Sequence, residues 1–259
     1  MIKNKDMTLL LVRLFLGYIF FSAGVCKLTN GQFGQLIGPP WMEEALAKHS
    51  LGLFAQVVAV SQAVCGALLL SQRFSLLGAI MLVPMNVAIL AVTVSMNWVG
   101  TPYVNTVFLG LNLMLLLMER QKFSFLFKPT ATHTIQPANT DQFGQNVYSW
   151  LGLGLSLLVM VAARYNITVT NVLALLAFTC YALTILASVR LAPVDKLLLT
   201  LPFVAMGIVT LADRNGISVP ALLLVLAAET ILLATRMVSA MQKNKAAAVA
   251  EGLAAGCPE

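Results

Sequence analysis

The sequence has 259 residues, of which 59% are hydrophobic and 10% are charged, and its mean hydropathy is +0.87. Soluble domains carry about a quarter charged residues, and a chain of this length cannot enclose so much apolar surface in water. The net charge of +6 comes from basic residues scattered singly between apolar runs, which excludes a nucleic-acid-binding surface. We therefore predict an all-α integral membrane protein, a multi-pass chain whose first partner is the lipid bilayer of the cell (inner) membrane.

Eight apolar runs approach the length of about 20 residues that a membrane-spanning helix needs. They cover residues 7–28, 50–70, 75–98, 103–118, 148–163, 169–189, 197–212 and 217–238. A polar segment with prolines, 126–146, separates the first four runs from the last four, and it is typical of a linker. We therefore predict two four-helix halves, 1–125 and 147–238, followed by an Ala-rich tail, 239–259.

The placement of basic residues supports this count. If the N-terminus is cytoplasmic, all but four of the 16 Lys and Arg residues fall on the cytoplasmic side, and those four are Lys27, Lys48, Arg164 and Arg214. This asymmetry follows the positive-inside rule. Because one missed or extra span would invert every later loop, the charges favour eight helices with both termini, the linker and the tail in the cytoplasm.

The segment between the first two runs, residues 29–49, has a distinct pattern. Gly38-Pro39-Pro40 predicts an extended turn. The residues from Trp41 to His49 then predict a short helix at the membrane interface, where a Trp side chain suits the headgroup level. Two interpretations remain open. The segment is a plain surface loop, or it is a lid in which Trp41 and His49 lie over a site that opens outward.

Two ionisable side chains inside predicted helices are costly in lipid and need an explanation. Counted from the cytoplasmic ends, Arg13 lies about 9 Å deep in the first helix and Glu229 about 13 Å deep in the last. If these helices pack together, a salt bridge between the two residues would join the halves into one body. Alternatively, Arg13 extends to the headgroups and Glu229 is neutral within a small polar cluster.

Small and amide side chains also recur at helical spacing. Gly17 and Gly24 lie seven residues apart, which predicts that another helix approaches the first one closely.

The amides lie on helices two to four and comprise Gln62, Asn86, Asn105 and Asn112, the last two on one face with Glu119. They either hydrogen-bond between helices or converge on a cavity. Such a cavity would suit a head group with carbonyl oxygens, such as a quinone or a lipid, because amides both donate and accept.

The sequence contains no nucleotide-binding loop, no dinucleotide fingerprint and no metal-binding motif. Its two histidines are predicted to lie on opposite sides of the membrane, so they cannot jointly hold a haem. We predict no catalytic residue, no metal site and no enzyme that supplies all its own chemistry. Electron transfer would therefore require a bound quinone, which is the candidate cofactor, or a partner redox protein.

The first half carries a series of short motifs. The first helix reads Leu11-Val12-Arg13-Leu14-Phe15-Leu16-Gly17, then Ser22-Ala23-Gly24, then Lys27-Leu28, and later stretches read Gly66-Ala67-Leu68-Leu69-Leu70 before Arg73 and Trp98-Val99-Gly100. On these residues the chain resembles the DoxX/DoxD-like family of four-helix membrane proteins over about residues 8–125. The family commonly has an acidic residue in its second helix, where this chain has Gln62.

The resemblance implies several functions. Relatives include the membrane subunit of thiosulfate:quinone oxidoreductase and subunits linked to methylamine oxidation, and related folds act as cargo receptors. Our first hypothesis is an accessory subunit of a quinone-linked or redox-related membrane system. The alternative is a non-catalytic membrane scaffold that binds a client protein or a lipid. A transporter is less well supported, because no pair of broken helices is evident.

Overall fold

The structure is a computed structural model that describes residues 4–39, 41–123, 139–188, 191–212 and 218–255. Every regular element in this part of the chain is helical. The α-helices are α1 (Asn4–Leu28), α2 (Met42–Ala47), α3 (Gly52–Leu70), α4 (Ser75–Ser95), α5 (Thr101–Met118), α6 (Val147–Ala162), α7 (Ile167–Leu186), α8 (Pro193–Ala212) and α9 (Ser218–Ala255). Seven of these are long and apolar enough to cross a membrane, and α6 is an apolar helix of 16 residues. The chain is therefore an all-α, multi-pass membrane protein.

The predicted helices agree with the observed ones to within a few residues, except that the last one continues well past residue 238 to Ala255. The short helix predicted after Trp41 is α2, and short 3₁₀ helices lie at Arg120–Phe123 and Asn139–Gln142. Most of the predicted linker, residues 126–138, and the end of the tail, 256–259, lie outside the described residues. The rest of the tail continues α9 as helix.

Helix α1 lies at the centre of the bundle. In its most apolar stretch of 18 residues, 83% of the residues are buried, compared with 6% in the corresponding stretch of α9. One face of α1, which includes Leu14 and Tyr18, packs in a hydrophobic cluster with α7 and α8. Another face, which includes Leu16 and Phe20, packs in a second cluster with α3, α4 and α5. The rings of Tyr18 and Phe178 are 5.7 Å apart. Helix α1 therefore joins the helices of both predicted halves in one body.

The pairing of α1 with α3 brings two backbones into direct contact. A Cβ atom added at Gly66 would lie 2.4 Å from the backbone nitrogen of Phe21, and one added at Gly24 would lie 2.5 Å from the carbonyl oxygen of Ala59. Gly17 faces the same helix, beside Leu70. These contacts confirm the close approach predicted from the glycine spacing, because only residues without a side chain allow it.

The start of α1 and the middle of α9 meet at one end of the bundle. The guanidinium of Arg236, on α9, donates through Nη1 to Oδ1 of Asn4 at 2.8 Å and through Nε to Oδ1 of Asp195 at 2.8 Å. Asn4 begins α1, and Asp195 lies in the first turn of α8. We call this side of the molecule the Asn4 end. The opposite side, where α1 finishes, is the Lys27 end.

Candidate functional site

A cavity of about 230 Å³ lies among α1, α3, α4 and α5 at the Lys27 end. Its walls are mainly apolar and include Phe20 of α1, Ile89 of α4 and Phe108 of α5. Val99, in the turn between α4 and α5, lines the cavity and is 97% exposed, so the cavity reaches the molecular surface. Its polar lining residues include Lys27, Gln62 and Asn105, which come from three different helices.

Lys27 is the charged residue in the lining of this cavity. It is 3% exposed, and its Nζ donates to the carbonyl oxygen of Ala23 at 3.0 Å. Ala23 lies one turn back along α1, so the side chain points toward the interior of the bundle and not toward the headgroups. In the described part of the chain, Lys27 forms no ion pair within 4.0 Å of a carboxylate.

Gln62 of α3 and Asn105 of α5 are the amide residues in the lining of the cavity. Nδ2 of Asn105 donates to the backbone oxygen of Asn86 at 2.8 Å, which joins α5 to α4. Oε1 of Gln62 and both amide atoms of Asn86 are buried and have no hydrogen-bond partner among the described protein atoms. Leaving buried amide atoms without partners is costly, so a group that completes their hydrogen bonds is stabilised there.

Asn112, the fourth predicted amide, does not line the cavity. It lies seven residues beyond Asn105 on α5, about 10 Å closer to the Asn4 end. Its side chain is fully buried, and neither amide atom has a partner among the described residues. The predicted set therefore divides: Gln62 and Asn105 face the cavity, Asn86 lies directly behind Asn105, and Asn112 is separate.

The segment before α3 covers the cavity. Ile37, Gly38, Pro39 and Met42 belong to its lining. Trp41 is 51% exposed, its ring lies 4.8 Å from that of Trp98, and it borders an adjoining surface pocket of about 320 Å³. Trp41 itself does not line the cavity, so the lid of Trp41 and His49 stays a prediction beside the plain surface loop. His49 is exposed in the turn before α3 and lines neither space.

Comparison with known proteins bears directly on these helices. The family model of DoxX matches residues 8–96, which contain α1, α3 and α4. The uncharacterized protein YwoB of Bacillus subtilis (strain 168) is 30% identical to the chain over 128 residues, a match that covers 45% of this chain and 79% of that protein. The chain belongs to the DoxX family. No solved structure matches it.

A buried ion pair in this DoxX protein corrects the predicted pairing of Arg13 with Glu229. Arg13, 2% exposed, forms its salt bridge with Glu119, the residue that follows α5, and also donates to Oε1 of Gln72 at 3.3 Å. The reason lies in the packing, because α5 contacts α1 directly whereas α9 packs mainly against α8. Glu229 is partly buried on α9 and takes part in no salt bridge between described residues.

The ion pair belongs to a larger charged network at the Asn4 end. Nζ of Lys122 lies 3.3 Å from Oε2 of Glu119 and 2.6 Å from Oδ1 of Asp141. The network thus connects α1 and α5 to the 3₁₀ helix Asn139–Gln142. It lies at the opposite end of the bundle from the cavity.

Sequence reasoning did not assign Lys27 to the site. Its basic charge close to the predicted end of a span is typical of a residue that extends to the headgroups, and that interpretation concealed its burial. The available signal was the small-Gly-x-x-Lys ending of α1, Ala23-Gly24-Val25-Cys26-Lys27, which contributed to the family resemblance. In the fold of this DoxX protein, that ending places Lys27 in the lining of the cavity.

Proposed function

We propose that this DoxX protein is an accessory subunit of a quinone-linked membrane redox system in the cell inner membrane, and that its cavity binds the head group of a quinone or a lipid. The observation that carries this proposal is the combination of a buried ammonium, Lys27, and two buried amides, Gln62 and Asn105, in a cavity with otherwise apolar walls.

The chemistry of the lining suits a flat ring with oxygen substituents. Lys27 and the amide of Gln62 provide hydrogen-bonding groups from different helices, so they can engage oxygens on different edges of one ring. Phe20 and Phe108, with ring centroids 5.9 Å apart, supply aromatic surface. The volume is below the roughly 300–1,000 Å³ of sites that enclose drug-sized ligands. It therefore suits a head group whose tail remains in the lipid.

The orientation of the protein is part of this proposal. With both termini in the cytoplasm, as the basic residues predict, the Lys27 end faces the opposite side of the membrane. A partner redox protein would then exchange electrons with the bound quinone from that side. The described residues include no cluster of three or more metal-ligating side chains, so the proposal assigns the redox chemistry to the quinone and the partner.

A binding titration tests the proposal. Purified protein in detergent is titrated with a short-chain quinone, and binding is followed by quenching of tryptophan fluorescence or by calorimetry. We expect wild type to bind and Gln62→Leu to weaken binding by about tenfold, because loss of one buried hydrogen bond costs about 1.5 kcal/mol.

Asn112→Leu is the matched control, since it removes a buried amide from the same bundle but not from the cavity. Absence of binding to wild type, or equal losses in the two variants, would overturn the proposal.

A second candidate function is a scaffold that binds a client protein and performs no redox role. The feature that favours it is the exposure of α9. Only 6% of the residues in its most apolar stretch are buried, so α9 presents most of its surface outside the bundle. Purification in a mild detergent followed by mass spectrometry separates the two candidates. A stable protein partner whose loss leaves quinone-dependent electron transfer unchanged would favour the scaffold.

A further inference from the structure

We propose that the head group held in the cavity is acidic, and that its anionic oxygen pairs with the ammonium of Lys27. This inference rests on the proposed function and names the chemical class of the ligand: an amphiphile with a negatively charged oxygen on an apolar or aromatic body. It follows from where Lys27 points, from what faces it, and from the composition of the cavity wall.

The orientation of Lys27 excludes the ordinary role of a lysine near the end of a membrane helix. Such a lysine normally extends outward and places its ammonium among headgroups and water. Here the ammonium bonds to the carbonyl oxygen of Ala23, one turn further into the bundle, and the residue is 3% exposed. The fold therefore holds a positive charge within the cavity, where it is poorly solvated.

Among the described residues, no carboxylate lies within salt-bridge distance of this ammonium, although Glu43 is near enough to interact with it electrostatically. The lining of the cavity contains no Asp or Glu. Glu43 and Glu44 border the adjoining surface pocket together with Lys27, but neither forms a salt bridge with it. By contrast, the buried arginines, Arg13 and Arg236, both pair with carboxylates. Among the residues whose burial is described, Lys27 thus differs from Arg13 and Arg236, each of which has a carboxylate within salt-bridge distance.

A buried charge without a counter-ion is costly, because desolvation is not offset by a partner. An ammonium has three N–H donors, and the carbonyl of Ala23 accepts one of them. Because Lys27 lines the cavity, an anionic oxygen that enters it can accept charge-assisted hydrogen bonds from the remaining donors, and these are stronger than those to a neutral carbonyl. The site therefore favours the anionic form of a ligand over a neutral analogue.

The remaining wall defines the rest of the ligand. Ile19, Phe20, Ile89 and Phe108 present hydrocarbon and aromatic surface, and Oε1 of Gln62 is a buried acceptor without a partner among the described residues. A small hydrophilic anion would leave this surface uncovered. Two sources supply the required chemistry: a hydroxylated quinone ring that ionises at neutral pH, or the phosphate group of an acidic lipid.

A matched pair of ligands tests the inference. The full-length protein is titrated at neutral pH with 2-hydroxy-1,4-naphthoquinone, whose hydroxyl is ionised, and with 2-methyl-1,4-naphthoquinone, which has a similar ring and no charge. A second pair compares short-chain phosphatidylglycerol with short-chain phosphatidylcholine. We expect wild type to prefer the anionic member of at least one pair by about tenfold, the range of a charge-assisted hydrogen bond.

Variants establish which residue causes the preference. We expect Lys27→Met to lose it and Lys27→Arg to keep most of it, whereas Lys48→Met, at an exposed lysine outside the cavity, leaves it unchanged. If Lys27→Met does not fold, the comparison of each ligand pair on wild type still tests whether the cavity prefers an anionic ligand.

The outcomes separate the two proposals. Equal binding of the charged and neutral naphthoquinones, without a lipid preference, overturns the acidic-ligand inference and leaves quinone binding intact. A Lys27-dependent preference for phosphatidylglycerol, without naphthoquinone binding, supports the inference and overturns the quinone role. If no probe binds, both proposals fail.

Discussion

Arg13 and Glu119 form a buried ion pair that fastens the central helix α1 to the end of α5. Both side chains are at least 95% buried, and Lys122 and Gln72 complete the surrounding contacts. Removing one member of such a pair leaves the other charge buried and uncompensated, which is more costly than removing both. The pair therefore provides a sensitive test of the packing of α1 against α5.

The first prediction concerns the carboxylate of this pair. We expect Glu119→Gln to lower the free energy of unfolding by about 3 kcal/mol, because the guanidinium of Arg13 loses its counter-charge. Thermal unfolding in detergent, followed by the fluorescence of a thiol-reactive dye or by circular dichroism, measures the change.

Glu229→Gln is the control, since that carboxyl forms no salt bridge with a described residue and is only partly buried. We also expect the double variant Arg13→Gln, Glu119→Gln to lose less stability than the sum of the single changes, which is the signature of direct coupling. A larger loss for Glu229→Gln than for Glu119→Gln would support the pairing that the sequence suggested and contradict the structure.

The second prediction concerns the contact between α1 and α3. Gly66→Ala places a methyl group 2.4 Å from the backbone nitrogen of Phe21, so the two helices must separate. We expect a loss of about 1–3 kcal/mol in the same unfolding assay. Gly154→Ala, on α6, meets no atom within 4 Å and should be neutral or slightly stabilising, because Ala favours helix more than Gly does. Similar losses in both variants would show that the α1–α3 contact is not this close.

Much of the fold follows from the sequence because lipid imposes a simple constraint on it. A chain in a bilayer must form all its backbone hydrogen bonds internally, so a spanning segment is helical. The length of each apolar segment then predicts the helices and their approximate bounds. The heptad spacing of Gly17 and Gly24 likewise predicts a close helix pair, although it does not identify α3 as the partner. These features depend on local pattern, which a single sequence contains.

Which helices pack together does not follow from local pattern. Arg13 can reach a carboxylate on any neighbouring helix, and the depths of Glu119 and Glu229 do not decide between them. The choice depends on α9 lying at the periphery while α5 contacts α1. The same limit applies to the cavity. Spacing places Asn105 and Asn112 on one face of α5, but only the packing of the helices shows that Asn105 lines the cavity and Asn112 does not.

A third prediction concerns the contacts that hold α9 against α8 and α1. Asp195 and Arg236 are both more than 95% buried in their side chains, and Arg236 also contacts Asn4. We expect Asp195→Asn to destabilise the protein by about 3 kcal/mol, since the buried guanidinium loses its counter-charge. Lys196→Gln, at the exposed neighbouring position, should change stability by less than about 0.5 kcal/mol. Equal effects at the two positions would show that α9 is not held at this point.

The last prediction tests access to the cavity and the orientation of the protein. In a chain whose four cysteines are replaced by alanine, Gln62→Cys places a thiol in the cavity lining, whereas Asn112→Cys places one in the closed interior. We expect a membrane-impermeant thiosulfonate reagent to label Gln62→Cys and not Asn112→Cys. An anionic reagent should react faster than a cationic one of similar size, because Lys27 attracts negative charge into the cavity.

The same assay examines the covering segment. Trp41→Ala removes the ring that lies against Trp98, so we expect it to increase the labelling rate of Gln62→Cys without exposing Asn112→Cys. With both termini in the cytoplasm, labelling should occur in right-side-out vesicles and be slow in inverted ones. Faster labelling in inverted vesicles would reverse the proposed orientation. Equal labelling of the two cysteines would instead show that the cavity extends past Phe108, toward the ion pair of Arg13 and Glu119.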